Sequence, residues 1–434
     1  MATISRRRFL VSAGLTALGG LLMSCGASTS GSGGAALAEA RSSKPRQGNP
    51  QLAPGDVRAF AAGHNAFGLD LYGRLRAGGG NLFFSPYSIA QVLTMTSAGA
   101  RGQTLEQMAQ TLHAAFPQER LHVAANALDQ ALTNRGAEQD GFKLEIANTV
   151  WGQSGHTFLP EFLDVLAANY GAGLRLLDFV AAPDSARTTI NAAIAQQTHD
   201  KIKDLLPPGS INALTRMVLA NAIYFNAKWV APFAKDATHD GPFNLDQGGP
   251  VMVPMMSHQA MYPYAAGQGY QAIGLPYRGG VSMVVLLPDA GQIEAFEAGL
   301  DSARLQAILD GLSPQDVALT LPKFEHQSAS ISLRDQLIAL GMADAFDAQA
   351  ADFSGMDGTR DLYISDGIHK AMVRVDEDGT EAAAATAVTM ETTAARVDPP
   401  LTLTIDRPFV FVIRDDATGA LLFIGRIVNP TAAA

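Results

Sequence analysis

The segment from Glu377 to Arg396 holds the residues whose types and spacing could do the most. It reads Glu-Asp-Gly-Thr-Glu-Ala-Ala-Ala-Ala-Thr-Ala-Val-Thr-Met-Glu-Thr-Thr-Ala-Ala-Arg. Alanine is a good helix former and a poor strand former, so the stretch has little local drive to become a strand. Its parity is nevertheless strand-like. Thr380, Ala382, Ala384, Thr386, Val388 and Met390 are small or apolar, and both Glu381 and Glu391 fall on the opposite parity. With a period of two, one face can be buried and the other hydrated. The chemistry this permits belongs to the backbone: a loop that waits exposed and later enters a sheet, its small side chains easing passage between strands. The alternative is a solvated alanine-rich linker whose charge parity is chance.

Familiar catalytic constellations are missing. There is no G-x-S-x-G elbow, no H-E-x-x-H and no G-x-x-x-x-G-K-[ST]. The nine histidines are scattered, and Gly267-Gln268-Gly269 is too short for a dinucleotide loop. A Ser-His-Asp site leaves no fixed motif, because triads are spatial. The chain is read as not an enzyme, with no metal site. Its net charge of −10 argues against nucleic acid, which needs a basic footprint. A single cysteine excludes internal disulfides and Cys-paired metal motifs.

That cysteine, Cys25, closes an N-terminal pattern. Arg6, Arg7 and Arg8 precede an apolar run from Phe9 to Met23. The run is too short to span a bilayer as a helix and reads as a signal peptide over 1–24. Ser5-Arg6-Arg7-Arg8-Phe9-Leu10 resembles a twin-arginine export signal. Leu22-Met23-Ser24-Cys25 resembles a bacterial lipobox, which makes Cys25 the candidate lipidation site and membrane anchor. A plain cleaved signal with an incidental cysteine is the alternative. Cleavage before Cys25 sheds three arginines and takes the charge from −10 to −13. Residues 25–55, rich in Gly, Ser, Ala and Pro, are expected as a flexible tether. Export to the cell envelope, the periplasm or the exterior follows.

Over the full 434 residues, 47% hydrophobic and 17% charged describe a large folded core. Residues 57–76 have helical spacing. Ser85-Pro86 offers an N-cap and a first-turn proline, and Ile89, Val92 and Leu93 form the apolar face of the helix that follows. A short strand is expected within 148–158, and helices over 159–170 and 186–202. Met217 to Phe225 is nearly all apolar, as in a strand buried on both faces. Further strands are expected at 281–287 and 317–321, and a short helix at 333–340. A hairpin joins 409–413 to 421–428 across Asp415–Gly419. The simplest organisation is one α+β domain over 56–434.

Several long strings give that domain a family likeness. They are Asn81–Ile89, Lys201–Ser210, Leu219–Phe225, Leu340–Phe346, Ile368–Ala371, Asp376–Ala382 and Phe423–Pro430. In this order, from about Asp56 to Pro430, the chain resembles the serpins.

The resemblance implies three β-sheets, eight or nine helices and an exposed reactive-centre loop over 377–400. It implies a suicide substrate for a serine protease, or a cysteine protease, trapped as a covalent 1:1 complex when the loop inserts into the central sheet. No cofactor is implied, and a monomer is expected. The hinge is Glu377, Gly379, Thr380, Glu381, Ala382, Ala383, Ala384 and Ala385, with Thr380 the first side chain to insert. Counting seventeen residues from Glu377 puts the reactive bond at Thr393–Ala394, with Met390, Thr392 and Arg396 as alternatives. Small residues there suit elastase-like or subtilisin-like proteases, whereas Arg396 would suit a trypsin-like one. Ser85, Ser88, Asn221 and His369 match the shutter, a polar cluster that governs sheet opening. Trp229 and Lys323 match the breach, where the loop first enters and Lys323 would pair with Glu377. Pro408 matches a proline anchoring the strand after the loop. A non-inhibitory member acting as a binding or chaperone-like envelope lipoprotein is the alternative.

Overall fold

The apolar run Met217–Phe225 is buried at every position and lies in the strand Met217–Lys228, the middle of the larger architecture. A computed structural model describes residues 38–138, 141–380 and 399–432 of this chain. On one side of the central strand runs Phe142–Gln153, antiparallel, in continuous register from Phe142 opposite Ala227 to Gly152 opposite Met217. On the other side runs Ile364–Val375, parallel, paired from Ile364 with Met217 to Ala371 with Ile223. Leu174–Leu177 lies outside Phe142–Gln153, and Phe324–Gln327 outside Ile364–Val375. A strand covered on both faces needs no alternation of polar residues, which is why this run is apolar apart from Asn221.

A second network of nine strands includes Ser313–Pro322, Val251–Gly267, Tyr270–Tyr277, Val281–Pro288 and the hairpin Phe409–Asp415/Leu421–Ile427. Val251–Gly267 is 17 residues long and serves two partners. Its Met255–Tyr264 stretch pairs with Ser313–Pro322, and Tyr264–Gly267 pairs with Tyr270–Ile273. Two of the three expected sheets are thus joined through one strand, giving two hydrogen-bonded networks. Ten α-helical segments occur among the described residues, three of them with six residues or fewer.

The helix Pro86–Ser97 departs from an amphipathic pattern: all twelve of its residues are buried. Its polar side chains find partners inside. Thr96 Oγ1 donates to the Val92 carbonyl and Ser97 Oγ to the Thr94 carbonyl, both within the helix. Burial without loss of hydrogen bonds is what allows such a helix to sit in a core. Ser85 caps it, its Oγ accepting from Ser88 N at 3.1 Å. The strand expected within 148–158 is longer and earlier, Phe142–Gln153. The helix expected over 186–202 is Pro183–Gln197. It stops early because His199 and Asp200 take positive φ (49° and 62°), a turn that short polar side chains tolerate.

The tether expected over 25–55 is described only from Ala38, and from there it is docked on the body. Glu39–Ala40 adds a strand to the outer edge of Leu174–Leu177, and the first long helix begins at Asp56. Composition suggested freedom here, but Arg41, Lys44 and Arg46 supply specific contacts that a Gly/Ser linker lacks.

Candidate functional site: the seam of the central sheet

The pairing of Met217–Lys228 with Ile364–Val375 ends at Ile223 and Ala371. Beyond that point the seam between the two strands is filled by the chain itself. After Val375 the backbone reverses through Asp376–Gly379: Asp376 N donates to the Gly379 carbonyl at 2.9 Å, and Asp378 N to Asp376 Oδ1 at 3.0 Å. Gly379 then pairs with Lys228, and Thr380 with both Ala227 and Val375. Two hinge residues already occupy the seam as a short antiparallel strand.

Gly379 is required by contact as well as by conformation. Its φ is 152°, and a Cβ there would lie 2.1 Å from the Ala227 carbonyl oxygen. No L side chain fits that approach. Thr380 is buried, and its Oγ1 shares a 2.6 Å hydrogen bond with the Tyr277 hydroxyl. Burial pushes the Tyr277 pKa up, so the hydroxyl keeps its proton. The Tyr277 ring stacks on Trp229 with centroids 4.1 Å apart. Trp229 in turn grips the turn: its Nε1 donates to the Asp376 carbonyl and its backbone N–H to the Asp378 carbonyl, each at 3.0 Å.

Glu377 is largely buried and accepts from Lys323 Nζ at 2.7 Å and from Thr238 Oγ1 at 2.9 Å. Burial pushes its carboxyl up. The Lys323 bond, its own backbone N–H and the Thr238 bond outweigh that and hold its pKa below the ordinary 4.5. Lys235 pairs with Asp378 at 3.2 Å, outside this core. The expected partners Trp229, Lys323 and Glu377 therefore come together. Tyr277 and Thr238 were not singled out from the sequence, since neither sits in a motif and only the folded register brings them to the hinge.

Partway down the seam, two pairs short of where the pairing stops, Ser85, Ser88, Asn221 and His369 form one cluster, and all four are fully buried. His369, Asn221 and Asn148 are consecutive cross-strand partners in one row. His369 Nε2 accepts from Ser85 N at 3.1 Å, so Nδ1 carries the proton and donates to Asn221 Oδ1. Asn221 Nδ2 donates to Ser88 Oγ at 2.7 Å and also to Asn148 Oδ1. Ser88 Oγ donates to Asn148 Oδ1 at 2.7 Å, and Ser85 Oγ to the Leu422 carbonyl at 2.6 Å. Burial drives the His369 pKa from 6.5 down to about 3. Asn148 is an addition to the expected set, visible only once the strand registers are known. The cluster links the helix Pro86–Ser97 to three adjacent strands across the seam.

The remaining expected positions fall outside the described residues: Glu381, Ala382, Ala383, Ala384 and Ala385 of the hinge, the bond Thr393–Ala394 with Met390, Thr392 and Arg396, and Cys25. Pro408 is buried immediately before the strand Phe409–Asp415.

Fold and site define a class: an α+β body whose central sheet carries a buried polar cluster along one seam, which is filled beyond it by the chain's own following segment. A profile of the family described as "Serpin (serine protease inhibitor)" matches residues 62–430. The leukocyte elastase inhibitor of Bos taurus is 39% identical over 388 residues, 86% of this chain and 100% of that protein. Among solved structures, the highly specific Serpin48 of the insect Tenebrio molitor is similar with a TM-score of 0.77 and 30% identity, over 86% of this chain and 98% of that one. Human thyroxine-binding globulin complexed with thyroxine reaches a TM-score of 0.77 at 29% identity, over 87% of this chain and 100% of that one. The chain belongs to the serpin family.

Proposed function

We propose that this protein is a suicide-substrate inhibitor of serine proteases, with elastase-like or subtilisin-like enzymes favoured, and that it has no catalytic turnover of its own. The observation that carries the reading is Thr380, buried in the central seam and bonded to Tyr277, with Gly379 paired ahead of it. Alternation then assigns Ala382, Ala384, Thr386, Val388 and Met390 to the same buried side as the strand extends.

The target's serine oxygen attacks the carbonyl of Thr393. The C–N bond to Ala394 breaks, the Ala394 amine leaves with a proton, and an ester joins the protease to Thr393. Water would ordinarily hydrolyse that ester. Here the freed strand continues down the seam, separating Met217–Lys228 from Ile364–Val375. Each new backbone hydrogen bond contributes about 0.5–1.5 kcal/mol net, so roughly a dozen inserted residues supply a large driving force. Insertion drags the esterified protease away from its working geometry, and the complex persists. The uninserted form is then held by a barrier and not by equilibrium. The elastase-inhibitor relative supports the target class, and the small residues around Thr393 fit it.

The test is incubation with elastase, subtilisin and trypsin followed by denaturing electrophoresis. A covalent high-mass band together with a released peptide beginning at Ala394 is expected. Clean cleavage without the band would favour a non-inhibitory carrier, a reading that the likeness to thyroxine-binding globulin keeps in view. We further propose export and lipid anchoring through Cys25. Cys25→Ala should move the protein from the membrane fraction to the soluble one, and an unchanged distribution would overturn the anchor.

A further inference from the structure

The segment from Ala38 to Ala53 crosses the outer side of the central sheet and is bonded to the body from Ala38 to Gln47. Ala38 and Ala40 extend the central sheet beyond its edge strand, the Ala38 carbonyl accepting from Leu176 N at 2.8 Å. Gly173 lets the segment approach: a Cβ there would lie 2.7 Å from the Ala40 carbonyl oxygen. Arg41 Nη2 donates to the Gly171 carbonyl at 2.7 Å, at the end of the helix Pro160–Tyr170. Lys44 pairs with Asp164 of that helix at 2.8 Å. Arg46 then reaches a second helix, Gln118–Glu138, donating from Nε to Asn126 Oδ1 at 2.9 Å and pairing with Asp129 at 2.5 Å. Gln47 joins the two, its N–H on the Ala168 carbonyl and its carbonyl accepting from Asn126 and Gln130.

These anchors fall on elements that insertion must shift relative to each other. Leu174–Leu177 belongs to the half of the sheet that moves away from Ile364–Val375. The helix Gln118–Glu138 is held to Asp56 through Arg120, at the start of the helix Asp56–Leu75. That helix is fastened to the second strand network, where Asn65 Nδ2 donates to the Gly419 carbonyl at 2.8 Å. Beneath Arg46 lies a cavity of about 310 Å³ whose lining includes Asp129, Gln91 and the shutter residue Asn148. The segment therefore spans from the opening edge to the fixed side, over a void beside the shutter.

We propose that residues 38–53 are a strap that restrains opening of the central sheet, so that its release accelerates loop insertion. The proposal rests on the insertion reading above. A triple variant, Arg41→Ala/Lys44→Ala/Arg46→Ala, removes three charged anchors that are all at least partly exposed. Exposed pairs are individually weak, so their sum is expected to speed spontaneous conversion to the inserted, non-inhibitory form by about tenfold. Conversion is followed on warming by loss of complex-forming activity, with hydrogen exchange at the Leu176 amide as a second readout. Arg46→Lys should stay near the wild-type rate, and Arg46→Ala alone should lie between the two. Nicking the loop provides the control. If nicking raises the melting temperature of both proteins and their conversion rates agree within twofold, the strap is overturned and the inhibitor reading stands. If nicking raises neither, the insertion reading fails first.

Discussion

Two stations along one seam are built from different materials. At the breach, the contacts include charges: Glu377 with Lys323, and Asp378 with Lys235. Lys235 is mostly exposed and Lys323 is partly so. At the shutter, every contact is neutral: Ser85, Ser88, His369 and Asn221 are fully buried, and Asn148 at the edge is half-buried. A rim of partly hydrated ion pairs separates at little cost, whereas an enclosed neutral network loses most of its worth when one member is left without a partner. On the proposed insertion mechanism, the difference would give opening a direction, from Thr380 toward the His369–Asn221 cluster.

The sharpest break in this comparison is Thr380→Arg. A guanidinium has no partner in the pocket beside Tyr277, and burying it unpaired is prohibitive. The variant should be cleaved as a substrate with the covalent band lost, and retention of full inhibition would contradict the role given to the breach. Next in size is Asn221→Ala, which leaves the buried His369 Nδ1–H without its acceptor, while Ser88 and Asn148 keep their bond to each other. Each buried group left unsatisfied costs about 1–3 kcal/mol. The melting temperature should fall and spontaneous insertion should quicken; unchanged values would mean the shutter is not the latch.

Acid separates the two sites. His369 has its pKa depressed to about 3, His64 to about 3 and His122 to about 4, all by burial. Each is neutral when folded and takes a proton on unfolding, so its stabilising contribution is complete above 6.5 and drains away as pH falls toward these values. The slope is about 1.4 kcal/mol per pH unit for each histidine. Glu377, with its pKa below 4.5, keeps its contribution until the pH falls below that value. Between pH 6.5 and 4.5, amide exchange should quicken around Met217–Ile223 while Trp229 stays protected. Exchange that rises equally at both sites would remove the distinction. The smallest effect belongs to Tyr277→Phe, which deletes one hydrogen bond worth about 1 kcal/mol. It should loosen Thr380 by that amount in exchange measurements and lower the yield of complex only slightly.

Sequence reasoning reached the elements that carry their own pattern. Met217–Phe225 announced a doubly buried strand, and Ser85-Pro86 announced a helix start, because local composition decides both. Family likeness brought Ser85, Ser88, Asn221, His369, Trp229, Lys323 and Glu377 to attention, and the structure gathers them into two clusters. Asn148, Thr238 and Tyr277 stayed hidden because their importance is a matter of register between strands distant in sequence. Pro86–Ser97 looked amphipathic because its polar residues are satisfied internally, which no periodicity reveals. The docked stretch from Ala38 looked like tether because Gly, Ser and Pro dominate its neighbourhood, and only the placement of three cations distinguishes it.

The central claim is that the uninserted body stores free energy which strand insertion releases. Limited cleavage between Met390 and Arg396, followed by thermal unfolding of the intact and nicked proteins, tests it directly. The account predicts a melting temperature well above that of the intact chain, with the cut strand protected from further proteolysis. Equal melting temperatures, with the cut strand still open to protease, would contradict it.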